Sequence, residues 1–190
     1  LFVARRFVPK GGIHILEAFD RISKKNKDVR CIFVSEVPQE FMKKYGKNKS
    51  IEFFRIMQQE KLMKEIYPRA DVFVYPGYAD TFGFAITEAL SYGLPVVTVD
   101  GFARKELVSD CKTGFDVTRV PNAGYESAKI GKAEDKQIDA IVKKTEILIK
   151  NKNLRKKMSI AARKEIATGK FSIDRMRKSL RRIYDEALKK

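Results

Sequence analysis

A doubly wound α/β fold, a parallel sheet of about six strands with helices on both faces, is predicted by three features of the sequence. Short β-branched or aromatic runs alternate with segments of helical period, the order that arises when parallel strands are joined by crossover helices. Several of these runs are apolar at every position, which suits strands covered on both faces. The 190 residues, 44% of them hydrophobic, are enough to bury one substantial core.

In chain order, the strand runs are LFVA (1–4), VRCIFVS (29–35), IEFF (51–54), VFVY (72–75), PVVTV (95–99) and GFDV (114–117). Ile13, Leu16, Ala18, Phe19 and Ile22 form an apolar stripe at helical spacing between the first two, and Leu62, Ile66 and Tyr67 form another before the fourth. The expected organisation is one domain over 1–190, with its core in 1–120 and an irregular loop over about 118–134, where VPNAGYESAKIGKAED lacks a hydrophobic period. Three closing helices follow, over 135–150, 154–168 and 173–188, the last with Ser172 as N-cap. That last helix gathers Met176, Leu180, Ile183 and Ala187 on one side, and docking on its own domain is the favoured reading.

The net charge is +16, and from Lys143 onward 17 Lys or Arg stand against 5 Asp or Glu, a surplus of 12. Such a field suits acidic partners, among them an anionic membrane surface, or it marks the solvated faces of Lys-rich helices. Phe171 and Tyr184 are the aromatic residues of that region, too few for a base-stacking surface, so no nucleic acid is expected. No apolar run reaches the roughly 20 residues of a spanning helix. Cys31 and Cys111 lack metal-ligand spacing and read as two buried thiols in a reducing compartment. A cytoplasmic placement follows, with peripheral attachment at the inner membrane face as a further expectation. There is no signal-peptide pattern and no initiator Met, and LFVA reads as a strand entered without lead-in, so the chain is expected to be a fragment.

The stretch PGYADTFGFAITEALSYGLPVV follows a strand, which sets residues 76–88 at the carboxyl edge of the sheet, where open α/β folds bind ligands. Gly83 permits close backbone approach, and a helix starting near it offers free N–H groups and a favourable dipole to a phosphate. Asp80 and Glu88 supply carboxylates, hydrogen-bond acceptors suited to sugar or ribose hydroxyls. Eight residues apart, such a pair is weak evidence alone: a helix-start acid and a solvated helix Glu fit equally. His14, the single histidine, sits among apolar helix positions and reads as packed or surface-lying and not as a catalytic base. Lys10-Gly11-Gly12 lacks the full phosphate-loop spacing.

The larger pattern P-x-x-x-D-x-F-G-x-x-x-x-E-A-x-x-x-G-x-P-V-V resembles that of the retaining GT-B glycosyltransferases (glycosyl transferases group 1), whose hallmark is Glu-x7-Glu, here Asp-x7-Glu. VARRFVPKGGIHILEAF is similar to that family's opening strand, basic loop and helix, and TGFDV and FS…IYDEAL to its last strand and closing helix. The resemblance implies the Rossmann-like C-terminal half of a GT-B fold, binding a nucleoside diphosphate sugar as donor, with no cofactor and no metal. It implies that Arg5 and Lys10 grip the donor diphosphate, Glu88 holds the ribose hydroxyls and Asp80 contacts the transferred sugar. The backbone N–H groups of Phe82, Gly83 and Phe84 would line the sugar and phosphate site, and Ile56 and Met57, beside Arg55, the base pocket. Asp80 in place of Glu, Ala4 in place of Gly and Arg55 in place of Gly depart from the family pattern and bear on donor choice.

The resemblance also implies that the acceptor-binding N-terminal domain is missing from this chain, so that the fragment alone is inactive. The expected function is transfer of a hexose to a saccharide, lipid-linked or protein acceptor, in polysaccharide or glycolipid synthesis. Alternatives are an epimerase-like relative acting on a nucleotide sugar without transferring it, and a non-catalytic basic module on anionic membrane or nucleic acid.

Overall fold

The computed structural model describes residues 1–124 and 134–189. The strands are β1 (Phe2–Ala4), β2 (Cys31–Ser35), β3 (Ile51–Phe54), β4 (Phe73–Tyr75), β5 (Val96–Val99) and β6 (Gly114–Val117). Helices α1 (Gly12–Lys25), α2 (Gln39–Tyr45), α3 (Gln59–Lys61), α4 (Phe84–Ser91) and α5 (Arg104–Leu107) lie between them, and α6 (Asp135–Lys150), α7 (Lys152–Ala167) and α8 (Ile173–Ala187) close the chain. All six expected strands are present, shortened by at most two residues at their amino ends. Of the loop expected over 118–134, residues 125–133 lie outside the described residues.

Two parallel triplets, β1-β2-β3 and β4-β5-β6, make up the sheet. They meet where the Leu1 amine donates to the Val72 carbonyl at 2.8 Å and the Val74 N–H donates to the Leu1 carbonyl at 2.9 Å. This is the alternating pattern of parallel strands, and it orders the sheet β3-β2-β1-β4-β5-β6. The chain therefore winds outward from the middle in both directions, and the reversal falls between β1 and β4.

Helix α1 packs on α2 and α6 on one side of the sheet, and α4 packs on β4, β5 and α7 on the other. The all-buried strand patterns follow from this double cover. Phe2, Phe33, Phe73 and Tyr75 form an aromatic seam through the centre, with Phe2 and Phe33 at 4.6 Å between ring centroids.

The stripe of Leu62, Ile66 and Tyr67 folds as α3, a π turn (Leu62–Ile66) and a 3-10 turn (Tyr67–Arg69) in succession. Pro68 has no N–H for the helical ladder, so the regular α spacing ends before it. Helices α2 and α5 were not foreseen, being too short to show a period of their own.

Two expectations are corrected here. Cys31 is buried and its thiol is pushed up to about 11 by desolvation, but Cys111 is exposed in the tight turn before β6 with φ 59°. Its side chain is directed outward by the turn closed by Cys111 N–H to Gly114 O at 2.9 Å. Helix α8 is not docked on the domain. None of its residues is buried, and Ile173, Met176, Leu180 and Ile183 stand open to solvent. The chain leaves α7 through Gly169 and projects α8 away from the sheet, with Ser172 accepting the Arg175 N–H as its cap. Among the described residues no helix is long and apolar enough to cross a membrane.

His14 is fully buried, its Nε2 lying 2.9 Å from Glu134 Oε2 and its ring edge-on to Tyr78 at 4.8 Å. Burial holds the imidazole below its ordinary 6.5 although Glu134 acts in the other direction. The unfolded chain therefore takes up a proton at a higher pH than the folded chain. Stability rises with pH wherever the unfolded state binds more protons, so this contribution is complete above 6.5 and declines as pH falls below it. Urea unfolding at pH 5 and pH 7.5 checks this: His14→Gln should flatten the acid-side decline, and an unchanged slope would assign it to other groups.

Because no residue of α8 is buried, Leu180→Asp and Ile183→Asp in this chain should shift the unfolding free energy by less than about 0.5 kcal/mol, as surface changes do. A drop of about 2 kcal/mol in urea unfolding would show instead that the stripe is covered.

Candidate functional site

The cleft at the winding reversal is formed by two loops, residues 5–11 after β1 and 76–83 after β4. The backbone sews them together: Gly77 N–H donates to Lys10 O at 3.2 Å and Ala79 N–H to Pro9 O at 2.9 Å. Gly11 makes this approach possible. Its φ is 82°, and a Cβ there would lie 2.8 Å from Pro76 Cβ, inside van der Waals contact.

The side chains complete the seam. Lys10 Nζ donates to Ala79 O at 2.8 Å and lies 3.1 Å from Asp80 Oδ1, while Tyr75 OH donates to Asp80 Oδ2 at 2.5 Å. Both Asp80 oxygens are thus held, one by a cation from the β1 loop and one by the last residue of β4. Burial and the neighbouring Asp80 charge push the Tyr75 phenol upward, so it is a fixed donor.

Beneath this pair lies Arg104, 1% exposed, which donates from Nε to Val99 O at 2.5 Å and from Nη1 to Gly77 O at 2.6 Å. Desolvation lowers its pKa, and the nearby Asp80 acts against that shift. The guanidinium ties the end of β5 to the loop after β4 and puts a second positive charge behind Asp80.

Helix α4 begins at Gly83, which has φ 100° and offers no side-chain cap; Ile86 N–H turns back to Gly83 O at 2.8 Å, so the Phe84 and Ala85 N–H groups are the uncapped donors of the first turn. Glu88 lies one turn further on, with Tyr67 OH donating to Oε2 at 2.8 Å and Gln59 Nε2 to Oε1 at 2.9 Å. The π turn brings Tyr67 to this position, and its ring stacks on Tyr92 at 5.5 Å.

A cleft of about 720 Å³ opens beyond β2 and β3, lined by Ser35, Val37, Met42, Phe53, Arg55 and Ile56 among others. The buried Ser35 hydroxyl has no hydrogen-bond partner among the described residues and borders this space. Hollows of about 450 and 410 Å³ lie at the opposite, amino edge of the sheet, away from these carboxylates.

The fold thus puts the nine site residues inferred from the sequence, and Arg55 beside them, at the carboxyl edge in three groups. Lys10 and Asp80 are in contact, and Arg5, next to them in the β1 loop, is exposed with no ion pair among the described residues. Gly83 starts α4 between the exposed Phe82 and Phe84, whose rings sit 4.9 Å apart, and Glu88 follows. Arg55, Ile56 and Met57 follow β3 as a separate group; Ile56 lines the large cleft, and Gln59 links that loop to Glu88.

Sequence reasoning missed Tyr67, Tyr75, Gln59, Ser35 and Arg104. The polar ends of VFVY and CIFVS were a usable sign for Tyr75 and Ser35, since the last strand residue meets the cleft. Arg104 had no such sign, because the acceptors that bury it lie 5 and 27 residues away. Replacing Arg104 with Met should lower the unfolding free energy by about 2–4 kcal/mol, because two buried carbonyls lose a charged donor. Urea unfolding that differs by less than about 0.5 kcal/mol would mean that solvent reaches them.

The family model of glycosyl transferases group 1 matches residues 1–133. A GDP-mannose-dependent alpha-mannosyltransferase of Mycolicibacterium smegmatis is 42% identical over 49 residues, 26% of this chain and 13% of that protein. The pneumococcal O-GlcNAc transferase GtfA, solved with UDP and GlcNAc, superposes with a TM-score of 0.71 at 16% identity, covering 98% of this chain and 35% of its own. The C-terminal domain of a glycosyl transferase group 1 family protein from Francisella tularensis gives 0.70 at 21% identity, covering 90% of this chain and 85% of that one. The chain therefore spans about a third of the pneumococcal enzyme but most of the isolated Francisella domain.

Proposed function

The chain belongs to the glycosyl transferases group 1 family, and from that premise we propose that it is the donor-binding half of a retaining hexosyltransferase, taking a nucleoside diphosphate sugar. The observation that carries this reading is the Lys10–Asp80 pair, 3.1 Å apart across the winding reversal. A cation and a carboxylate are presented side by side there, as a diphosphate joined to a polyhydroxyl sugar requires.

In this reading Lys10 and the exposed Arg5 take the diphosphate together with the first-turn N–H groups of α4. As the sugar–phosphate bond breaks, negative charge grows on the departing diphosphate, and fixed cations lower that barrier without calling on a metal. Asp80, steadied by Tyr75, accepts hydroxyls of the transferred sugar, and the backbone of Phe82, Gly83 and Phe84 closes around it. Glu88, oriented by Tyr67 and Gln59, accepts the two ribose hydroxyls. The cleft beside Ile56 and Met57 holds the base, and the Ser35 hydroxyl, without a partner among the described residues, pairs with it. Asp80 is one methylene shorter than the family's Glu, and Lys10 reaches it from the facing loop, so the pair sits close to the sheet edge. That position tunes which sugar hydroxyls are met.

The acceptor and the groups that act on it belong, in this reading, to the acceptor-binding domain that the family resemblance implies. This chain alone therefore binds donor without turning it over.

Calorimetry with UDP- and GDP-sugars tests the reading. One of the two series should bind, and Lys10→Ala or Arg5→Ala should weaken it about 10- to 150-fold, the value of one charge-assisted hydrogen bond. Glu88→Ala should weaken sugar nucleotides but not inorganic pyrophosphate. A folded chain that binds neither series, or variants that bind like the parent, would remove the proposal.

A further inference from the structure

We propose that the cleft of about 410 Å³ between α7 and the turns before β4 and β5 binds a phosphate-bearing anion, at the sheet edge opposite the donor site. Lys152, Lys156, Ser159 and Arg163 line it from successive turns of one face of α7. Tyr92, Gly93, Leu94 and Pro95 form the facing wall.

Among the described residues the charge in this cleft is not balanced. Among the described residues, Lys152, Lys156 and Arg163 have no carboxylate partner, and Asp71 is the one acid lining the space. Asp71 lies 4.0 Å from Arg155, which also donates to the carbonyls of Leu148 and Ile149 and so is already engaged. The sequence accepts a folding cost to keep the cations there. Residues 152–164 contain no Asp or Glu, Lys152 stands in the first turn of α7 against the helix dipole, and Lys152 and Lys156 repel each other at i, i+4. An anion in the cleft offsets all three terms at once.

The geometry suits a compact oxyanion. Gly93 has φ 72°, and a Cβ on it would lie 2.5 Å from Arg163 Nε and 2.8 Å from Ser159 Oγ. The guanidinium and the hydroxyl therefore rest directly on the turn, so one donor fork, one hydroxyl and two ammonium groups face a common space. Three charges around one hydroxyl match phosphate better than a carboxylate, whose two oxygens fewer donors satisfy. The ligand chemistry is a phosphate monoester or diester, free or as a lipid headgroup.

An amide NMR titration with inorganic phosphate at constant ionic strength, alongside flotation on phosphatidylcholine vesicles containing phosphatidylglycerol, tests the site. Saturable shifts at Gly93, Leu94, Ser159 and Arg163 are expected for a free phosphate. They should weaken at least tenfold in Lys152→Gln/Lys156→Gln/Arg163→Gln and persist in Arg175→Gln/Arg177→Gln/Lys178→Gln, which removes equal charge from α8. Flotation with the same variant pattern, without shifts in free phosphate, identifies a lipid headgroup. No response to either probe, or equal loss in both triple variants, overturns the proposal. Shifts near Arg5 and Lys10 report the donor site separately, so the two readings fail independently.

Discussion

Strands β1 and β4 leave the sheet toward opposite faces, and the space between their carboxyl ends is one that no crossover helix fills. The structure keeps that space narrow with a seam of backbone hydrogen bonds between the two loops, which only a glycine at position 11 allows. The other features of the site follow from the seam. Lys10 reaches Asp80 because the loops touch, Tyr75 reaches Asp80 because it ends β4, and α4 starts at the cleft because Gly83 turns the chain there.

Electrostatics then decide what the seam can hold. Exposed ion pairs are worth about 0–1 kcal/mol, and Lys10–Asp80 would rank among them if it stood alone. It does not stand alone. Tyr75 fixes the second Asp80 oxygen, and the buried Arg104 adds a positive charge where solvent screens poorly. The pair is better understood as preorganisation than as a contribution to stability. Its groups are already aimed, so little reorganisation remains when a ligand arrives.

The sequence analysis reached the fold, and it named candidate residues that the fold gathers at one sheet edge, because both readings rest on local signals. Alternating apolar runs mark the strands, and a Pro-Gly after VFVY marks the carboxyl edge. It did not reach the groups that orient the carboxylates. Tyr67 is delivered by a π turn that Pro68 enforces, and Arg104 is buried by carbonyls from two other segments, so neither shows in any periodicity. It also misjudged α8 and Cys111. An amphipathic stripe shows that a helix can bury a face, but not that a matching surface exists within the same chain. A cysteine within a tight turn follows the turn outward, whatever its average tendency to be buried.

The distribution of uncovered surface bears on what the chain can do unaided. Arg5 is exposed, and Phe82, Phe84 and Phe102 stand open at the same edge as Asp80, with Phe84 71% exposed. A transfer reaction that builds an unstable, positively charged sugar needs water kept from it, because water is itself a competent acceptor. One wall cannot do that. Lys10, Asp80 and Glu88 are fixed and paired in advance, while the groups at the rim of the cleft are aromatic side chains facing solvent. An apolar helix face also stands bare on the same chain. Such surfaces lower in free energy only when another body covers them. The cleft and the α8 face are thus both left open among the described residues, the first by aromatic side chains at its rim and the second by an apolar stripe that no residue of the helix buries.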